Sequence, residues 1–144
     1  MNFMDVALDM ARRAEKKGEV PIGAVVVRDG KILSKAFNKR ERKQNACAHA
    51  EILAIEKACK RLGSWRLEGC EIYVTLQPCV MCAGAILNAR ISKVIIGALS
   101  DRTNDMNIYR ENNLNWKTEV VIQENIECGE ILKRFFKRAR SPVS

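Results

Sequence analysis

Residues 70–98 read CEIYVTLQPCVMCAGAILNARISKVIIGA. The runs around Ile72-Tyr73-Val74 and Val94-Ile95-Ile96 are short, apolar and rich in β-branched side chains, which reads as two buried strands. Between them, Cys79 to Arg90 is a stretch of small and apolar residues behind Pro78, a residue suited to the entrance of a helix. The segment is therefore a strand–helix–strand unit. Such a unit calls for a right-handed crossover with the helix packed on a face of the sheet.

Working outward, the pattern from about His49 to Arg61 is helical, with Ile52, Leu53, Ile55, Ala58, Cys59 and Leu62 on its apolar side. A polar, basic loop, NKRERKQNA, precedes it. Before that loop stands PIGAVVVRDGKILSKAFN, in which Asp29-Gly30 separates two apolar runs. That is a hairpin signal, and it predicts antiparallel strands near 22–28 and 31–37. The opening segment, Asn2 to Lys17, spaces Phe3, Ala7, Met10, Ala11 and Ala14 as a helix does and stops at Gly18. Downstream, TEVVIQ reads as a fifth strand. Asn125 to Arg140 reads as an amphipathic helix with Ile131, Leu132, Phe135 and Phe136 in the core. The predicted order is α-β-β-α-β-α-β-β-α, an α/β fold with a three-layer α/β/α architecture and a mixed central sheet of about five strands.

At 144 residues a single domain spanning 1–144 is expected. With 47% hydrophobic and 29% charged residues the composition is that of an ordinary soluble globular protein. No apolar run approaches the roughly 20 residues that span a bilayer. Asp5 and Asp9 interrupt the N-terminal apolar pattern, so it does not read as a signal peptide. A cytoplasmic protein without a membrane partner is expected. In a reducing compartment the six cysteines are not a disulfide framework, and Cys59, Cys70 and Cys128 read as small core residues. The formal charge of +8 favours a polyanionic partner such as nucleic acid.

The only histidine, His49, stands two residues before Glu51, and the only Cys-x-x-Cys pair is Cys79 and Cys82. Both pairs fall at predicted helix entrances, where unpaired N–H groups and about half a positive charge favour thiolates. Four readings fit these residues. Cys79 and Cys82 form a redox pair; or the histidine and cysteines are plain core; or Cys47 joins His49, Cys79 and Cys82 in a closed structural zinc shell; or those last three hold zinc alone and leave a position for water. In the open-site reading, zinc makes hydroxide available at neutral pH and Glu51 is the general acid/base. That reading gives every unusual residue a task.

His49-Ala50-Glu51 with Pro78-Cys79-Val80-Met81-Cys82 is the H-x-E…P-C-x-x-C signature, and on it the chain resembles the zinc-dependent cytidine/adenosine deaminase family, whose chemistry is established. EVPIGAVVVRDGKIL, AHAEILAIEKACKRLGSWRLEGCEIYVTL and PCVMCAGAILNARISKVIIGA look like the family's bacterial tRNA-specific adenosine branch, over roughly positions 1–98. The resemblance implies a cytidine deaminase-like fold, a homodimer, one Zn2+ per subunit, and conversion of adenosine to inosine at the wobble position of tRNA anticodons. It places the metal ligands on His49, Cys79 and Cys82, the proton shuttle on Glu51, and a substrate-binding asparagine on Asn38.

Three places depart from the family pattern. Gln77 stands where the family usually has Glu, the stretch LSDRTNDMNIYREN after Ala98 is shorter and lacks glycine, and Asn115-Trp116 replaces an Asn-His pair. All three lie where the pocket wall or RNA contacts are expected. Lys39, Arg40, Arg42 and Lys43 in the loop before His49 are candidate RNA contacts, and a solvated loop is the alternative. The C-terminal run Lys133, Arg134, Lys137, Arg138 and Arg140 is either a solvated face or a second RNA contact, and Tyr109 and Trp116 either pack or stack on bases. Two other functions stay open: deamination of a free base or nucleoside of guanine or cytosine type, and a zinc-stabilised RNA-binding module without turnover.

Overall fold

The computed structural model describes residues 2–140, of Arg140 the backbone alone. The elements are α1 (Phe3–Lys16), β1 (Gly23–Arg28), β2 (Lys31–Phe37), α2 (Arg40–Lys43), α3 (Ala50–Leu62), β3 (Cys70–Val74), α4 (Val80–Asn88), β4 (Lys93–Ile96), a 3-10 helix (Thr103–Tyr109), β5 (Glu119–Ile122) and α5 (Ile126–Arg140). The strands form one open sheet in the order β2-β1-β3-β4-β5. β1 runs antiparallel to both β2 and β3, whereas β3, β4 and β5 run parallel. The predicted mixed five-stranded sheet is present.

Alternation along the inner strands divides the core into two layers. Ala24, Val26, Ile72, Val74, Val94 and Ile96 face α3 and α4, where they meet Leu53, Ala54, Ala58, Ala83, Ile86 and Leu87. Val25, Val27 and Ile95 face the other way, onto Met4, Ala7, Leu8 and Ala11 of α1 and Cys128, Ile131 and Leu132 of α5. A strand covered on both faces needs apolar residues at every position, which is why β1 is buried from Gly23 through Val27 without a polar alternate. Among the cysteines read as core, Cys70 and Cys128 are buried and Cys59 is half-buried.

Two short helices escape the sequence pattern. α2 lies inside the stretch read as a loop. It forms because the carboxylate of Glu19, buried beneath it, accepts the N–H groups of Glu41 and Arg42 at 3.1 and 2.7 Å. That cap comes from a distant part of the chain and leaves no local signal. The 3-10 helix packs Tyr109 into the layer under α4. At the other end, the amphipathic stripe of α5 runs past the core. Phe136 is 44% exposed and stacks edge-on against half-buried Phe135, so these two rings are not the core residues predicted.

The sheet brings the first residue of β1 beside the end of β3. The Gly23 N–H donates to Thr75 Oγ1 at 3.1 Å and the Thr75 N–H donates to the Gly23 carbonyl at 3.1 Å. α1 presses on this junction so closely that a Cβ on Gly23 would strike the Ala7 carbonyl and stand 2.8 Å from Met10 Cβ. Gly23→Ala is therefore expected to cost about 1–3 kcal/mol, read as a lower urea midpoint with an unchanged slope. An unchanged midpoint would contradict this packing.

Candidate metal centre

Two helices begin at the same end of the sheet. His49 is the N-cap of α3 and Cys79 the N-cap of α4, both in extended backbone, and neither side chain caps its own helix. The side chains are thus free to turn toward each other. His49 Nδ1 lies 3.8 Å from Cys79 Sγ and 3.5 Å from Cys82 Sγ. All three donor atoms fall within 4.8 Å of one another. Ligands held at zinc–nitrogen and zinc–sulfur bond lengths in a tetrahedron stand roughly 3.5–3.8 Å apart, so the spacing fits one ion. Soft thiolates with an imidazole are the donor chemistry of zinc.

Cys47 does not belong to this group. It is exposed and its backbone N–H is turned to Asn45 Oδ1. In this structure Cys47 therefore does not complete a closed shell of three sulfurs and a nitrogen. The plain-core reading fails as well, since three metal-type donors converge on one point.

Glu51 is the second residue of α3 and only 4% exposed. Burial, reinforced by the neighbouring Cys79, pushes its carboxyl up to about 7, against the pull of its own backbone N–H and of Cys82. A carboxyl poised there can both take and give a proton at neutral pH. The two cysteines act as one unit. Cys79 is drawn down to about 5, first by the hydrogen bond from Cys82 and then by the backbone N–H groups of α4 and by His49. Cys82 is pushed up, because it supplies that shared proton and is desolvated. A divalent cation would take the place of the shared proton. Tyr109 closes the layer behind these groups. It is 1% exposed, and among the described residues its hydroxyl is the buried side-chain oxygen without a partner. Its acidity is suppressed by burial and then by Glu51, Cys82 and Cys79.

Beside His49 a small cleft of about 110 Å³ is lined by Val20, Ile22, Asn38, Arg40, His49 and Ala50. Asn38 is held there from two sides: its amide donates to the Val20 carbonyl at 3.3 Å and its Oδ1 accepts the Arg40 N–H at 3.2 Å. Lys39, Arg42 and Lys43, predicted from the same loop, line a different cleft. The structure also gives structural tasks to residues read as pocket wall. Gln77 staples the stretch after β4, donating to the Arg102 carbonyl at 2.7 Å and accepting the Ser100 N–H at 3.2 Å. Trp116 packs on the core and donates its indole N–H to the Ile91 carbonyl at 3.0 Å. In α5, Arg134 and Arg138 reach Glu15 of α1 at 3.4 and 3.1 Å. Glu19, which sets the basic loop in place, went unread in the sequence, and its only local signal was an acid next to a β-branched run.

A family model described as MafB19-like deaminase matches residues 1–140. The tRNA-specific adenosine deaminase of Bacillus subtilis (strain 168) is 48% identical over 145 residues, covering 96% of this chain and 89% of that protein. A solved structure from a study of A-to-I editing by tRNA:A34 deaminases at the wobble position superposes with a TM-score of 0.85 at 38% identity, covering 90% of this chain and 98% of that one. The guanine deaminase of Bacillus subtilis superposes with a TM-score of 0.67 at 31% identity, covering 100% and 98%.

Elemental analysis after dialysis tests the three-donor set. Cys47→Ser is expected to keep about one zinc per chain, and Cys82→Ser to lose most of it. Loss of zinc from Cys47→Ser, or retention by Cys82→Ser, would contradict the assignment of donors.

Proposed function

The chain belongs to the MafB19-like deaminase family, and on that footing we propose that it deaminates adenosine to inosine at the wobble position of tRNA anticodons. The observation that carries the reading is a buried carboxyl, Glu51, beside a three-donor metal group. Held by His49, Cys79 and Cys82, zinc would make a water acidic enough to supply hydroxide at pH 7.

The chain's own residues do the rest. Glu51 takes a proton from the water that attacks the ring carbon bearing the amino group and gives it to the ring nitrogen; it then takes the remaining proton from the newly added hydroxyl and gives it to the departing amine, so that ammonia leaves and inosine remains. Desolvation is what lets one carboxyl alternate between these roles. Asn38 holds the edge of the base in the cleft next to His49, and its two anchors to Val20 and Arg40 fix its orientation in advance. A base inside a duplex cannot reach such a cleft. An anticodon loop presents bases already partly unstacked, which lowers the cost of extrusion. Lys39, Arg40, Arg42 and Lys43 supply cations for the surrounding phosphates.

The relatives support tRNA as the substrate, and the charge of +8 agrees with it. The guanine deaminase likeness supports a second reading, a free purine in the same cleft. The protein acts as a homodimer in this proposal. What supports that is the outer side of α4, where Val80 is 59% exposed next to half-buried Met81, Gly84 and Ala85. Among the described residues no helix is long and apolar enough to cross a membrane, and in this proposal the enzyme works in the cytoplasm, which a tRNA substrate supports.

Incubation with total tRNA and, separately, with guanine and adenosine decides the substrate. Inosine is expected in the tRNA. Glu51→Ala is expected to keep its zinc and lose at least about a hundredfold in rate. Release of ammonia from guanine with no inosine in tRNA would replace the first reading by the second. Full activity of Glu51→Ala would remove the proposed acid/base.

A further inference from the structure

The loop between β2 and α3 has two working faces. Asn38 and Arg40 line the small cleft at the metal centre. Lys39, Arg42 and Lys43 turn away from it and, with Phe37 and with Lys17 from the end of α1, line a separate cleft of about 410 Å³. Phe37 is buried and forms the floor, and Lys39 Nζ stands 4.9 Å from the centre of its ring.

The charge on this cleft is uncompensated. Elsewhere on the described surface the cations that are paired meet carboxylates: Arg12 meets Asp9, Arg40 meets Glu41, Arg66 meets Glu68, Lys93 meets Glu71, and Arg134 and Arg138 meet Glu15. Lys17, Lys39, Arg42 and Lys43 have no ion-pair partner among the described residues, and no acidic side chain lines the cleft. Four like charges crowded together repel each other. Lys39 feels it directly: its ammonium is held below the ordinary range, first by burial and then by Lys57, Lys43, Arg42 and Lys17.

The loop that carries these cations is fixed in advance. Glu19 holds the N–H groups of Glu41 and Arg42 from below, and the Lys39 N–H donates to the Ala48 carbonyl at 3.0 Å. With the backbone of the loop set in advance, only the long side chains lose conformational freedom when an anion arrives.

We infer that the cleft formed by Lys17, Phe37, Lys39, Arg42 and Lys43 is a phosphodiester-binding subsite for the RNA strand whose base enters the metal centre. The inference rests on the proposed function, because the occupant is the backbone of that substrate. Continuity of the chain supports this occupant. Lys39 follows Asn38 directly, and neighbouring Cα atoms are about 3.8 Å apart, so a strand held at Asn38 by its base passes the cleft within a nucleotide or two. Lys and Arg contacts to phosphate set the position of a nucleic acid without reading its sequence. The two faces therefore divide the work: one recognises the base and the other places the backbone.

The test is the double variant Lys17→Gln/Lys43→Gln, in the intact zinc-loaded protein, assayed for inosine formation in tRNA across a salt series. Both side chains are exposed and lie outside the core, so fold and zinc content are expected to match the wild type. KM is expected to rise about tenfold with kcat within twofold. The slope of log affinity against log salt is expected to fall by about 1.4, at roughly 0.7 for each lost phosphate contact to a single strand. Lys31→Gln, at the far end of β2 by the hairpin, is the control. Seven strand residues at about 3.3 Å each put it beyond the screening length of about 10 Å, so its KM and slope should stay at wild-type values. A double variant with wild-type KM and salt slope overturns the subsite while leaving the proposed function standing. A wild-type protein that forms no inosine in tRNA overturns the proposed function itself. An equal effect from Lys31→Gln reduces the cleft to general surface charge and also overturns the subsite.

Discussion

The site depends on two helix N-termini meeting at one end of a sheet. α3 and α4 each begin with a residue in extended backbone, His49 and Cys79, and the donor atoms of the two come together. Each helix start carries unpaired N–H groups and about half a positive charge. Two such ends side by side would repel unless negative charge lay between them. The Cys79 thiolate supplies it, and the same positive field helps to draw Cys79 down to about 5. The sheet holds the meeting point together, since β3 feeds α4 and the reciprocal Gly23–Thr75 hydrogen bonds tie the end of β3 to the start of β1.

Burial does opposite things to neighbouring groups here, and function follows from the difference. Glu51 has lost its water, and the hydrogen bonds from its own backbone N–H and from Cys82 offset that only in part, so its carboxyl is pushed up to about 7. Cys79 is equally close to the helix end but is half-buried and hydrogen-bonded, so it ionises easily. A metal ligand needs the second environment and a proton carrier the first. The two environments meet where α3 and α4 begin, next to the small cleft that His49 lines. Around this pair the protein spends its polar side chains on fixing loops: Asn38, Gln77 and Glu19 each bind backbone groups of the segments that frame the centre.

The centre was legible in the sequence because its geometry is local. His49 and Glu51 lie two apart at one helix entrance, Cys79 and Cys82 three apart at another, and Pro78 marks the second entrance. The strand–helix–strand segment, read correctly from its apolar runs, then brings the two entrances to the same end of the sheet. What escaped depends on partners far apart in the chain. α2 needs the Glu19 carboxylate, and the division of the basic loop into two faces needs Lys17 from another helix. The helical stripe of α5 gave no sign that the core stops before Phe136, and the basic residues beside it gave no sign that Arg134 and Arg138 would be drawn to Glu15. Gln77 and Trp116 read as pocket wall because composition does not reveal that their polar atoms are already used by backbone carbonyls and an N–H.

The central claim is that the chain offers an ion three donors and no more. X-ray absorption at the zinc edge of the metal-loaded protein addresses it directly. Two sulfur neighbours, one imidazole nitrogen and one light-atom neighbour contributed by solvent are expected, with the solvent neighbour replaced when a competing small anion is added. Three sulfur neighbours, or a four-coordinate protein shell indifferent to that anion, would contradict it.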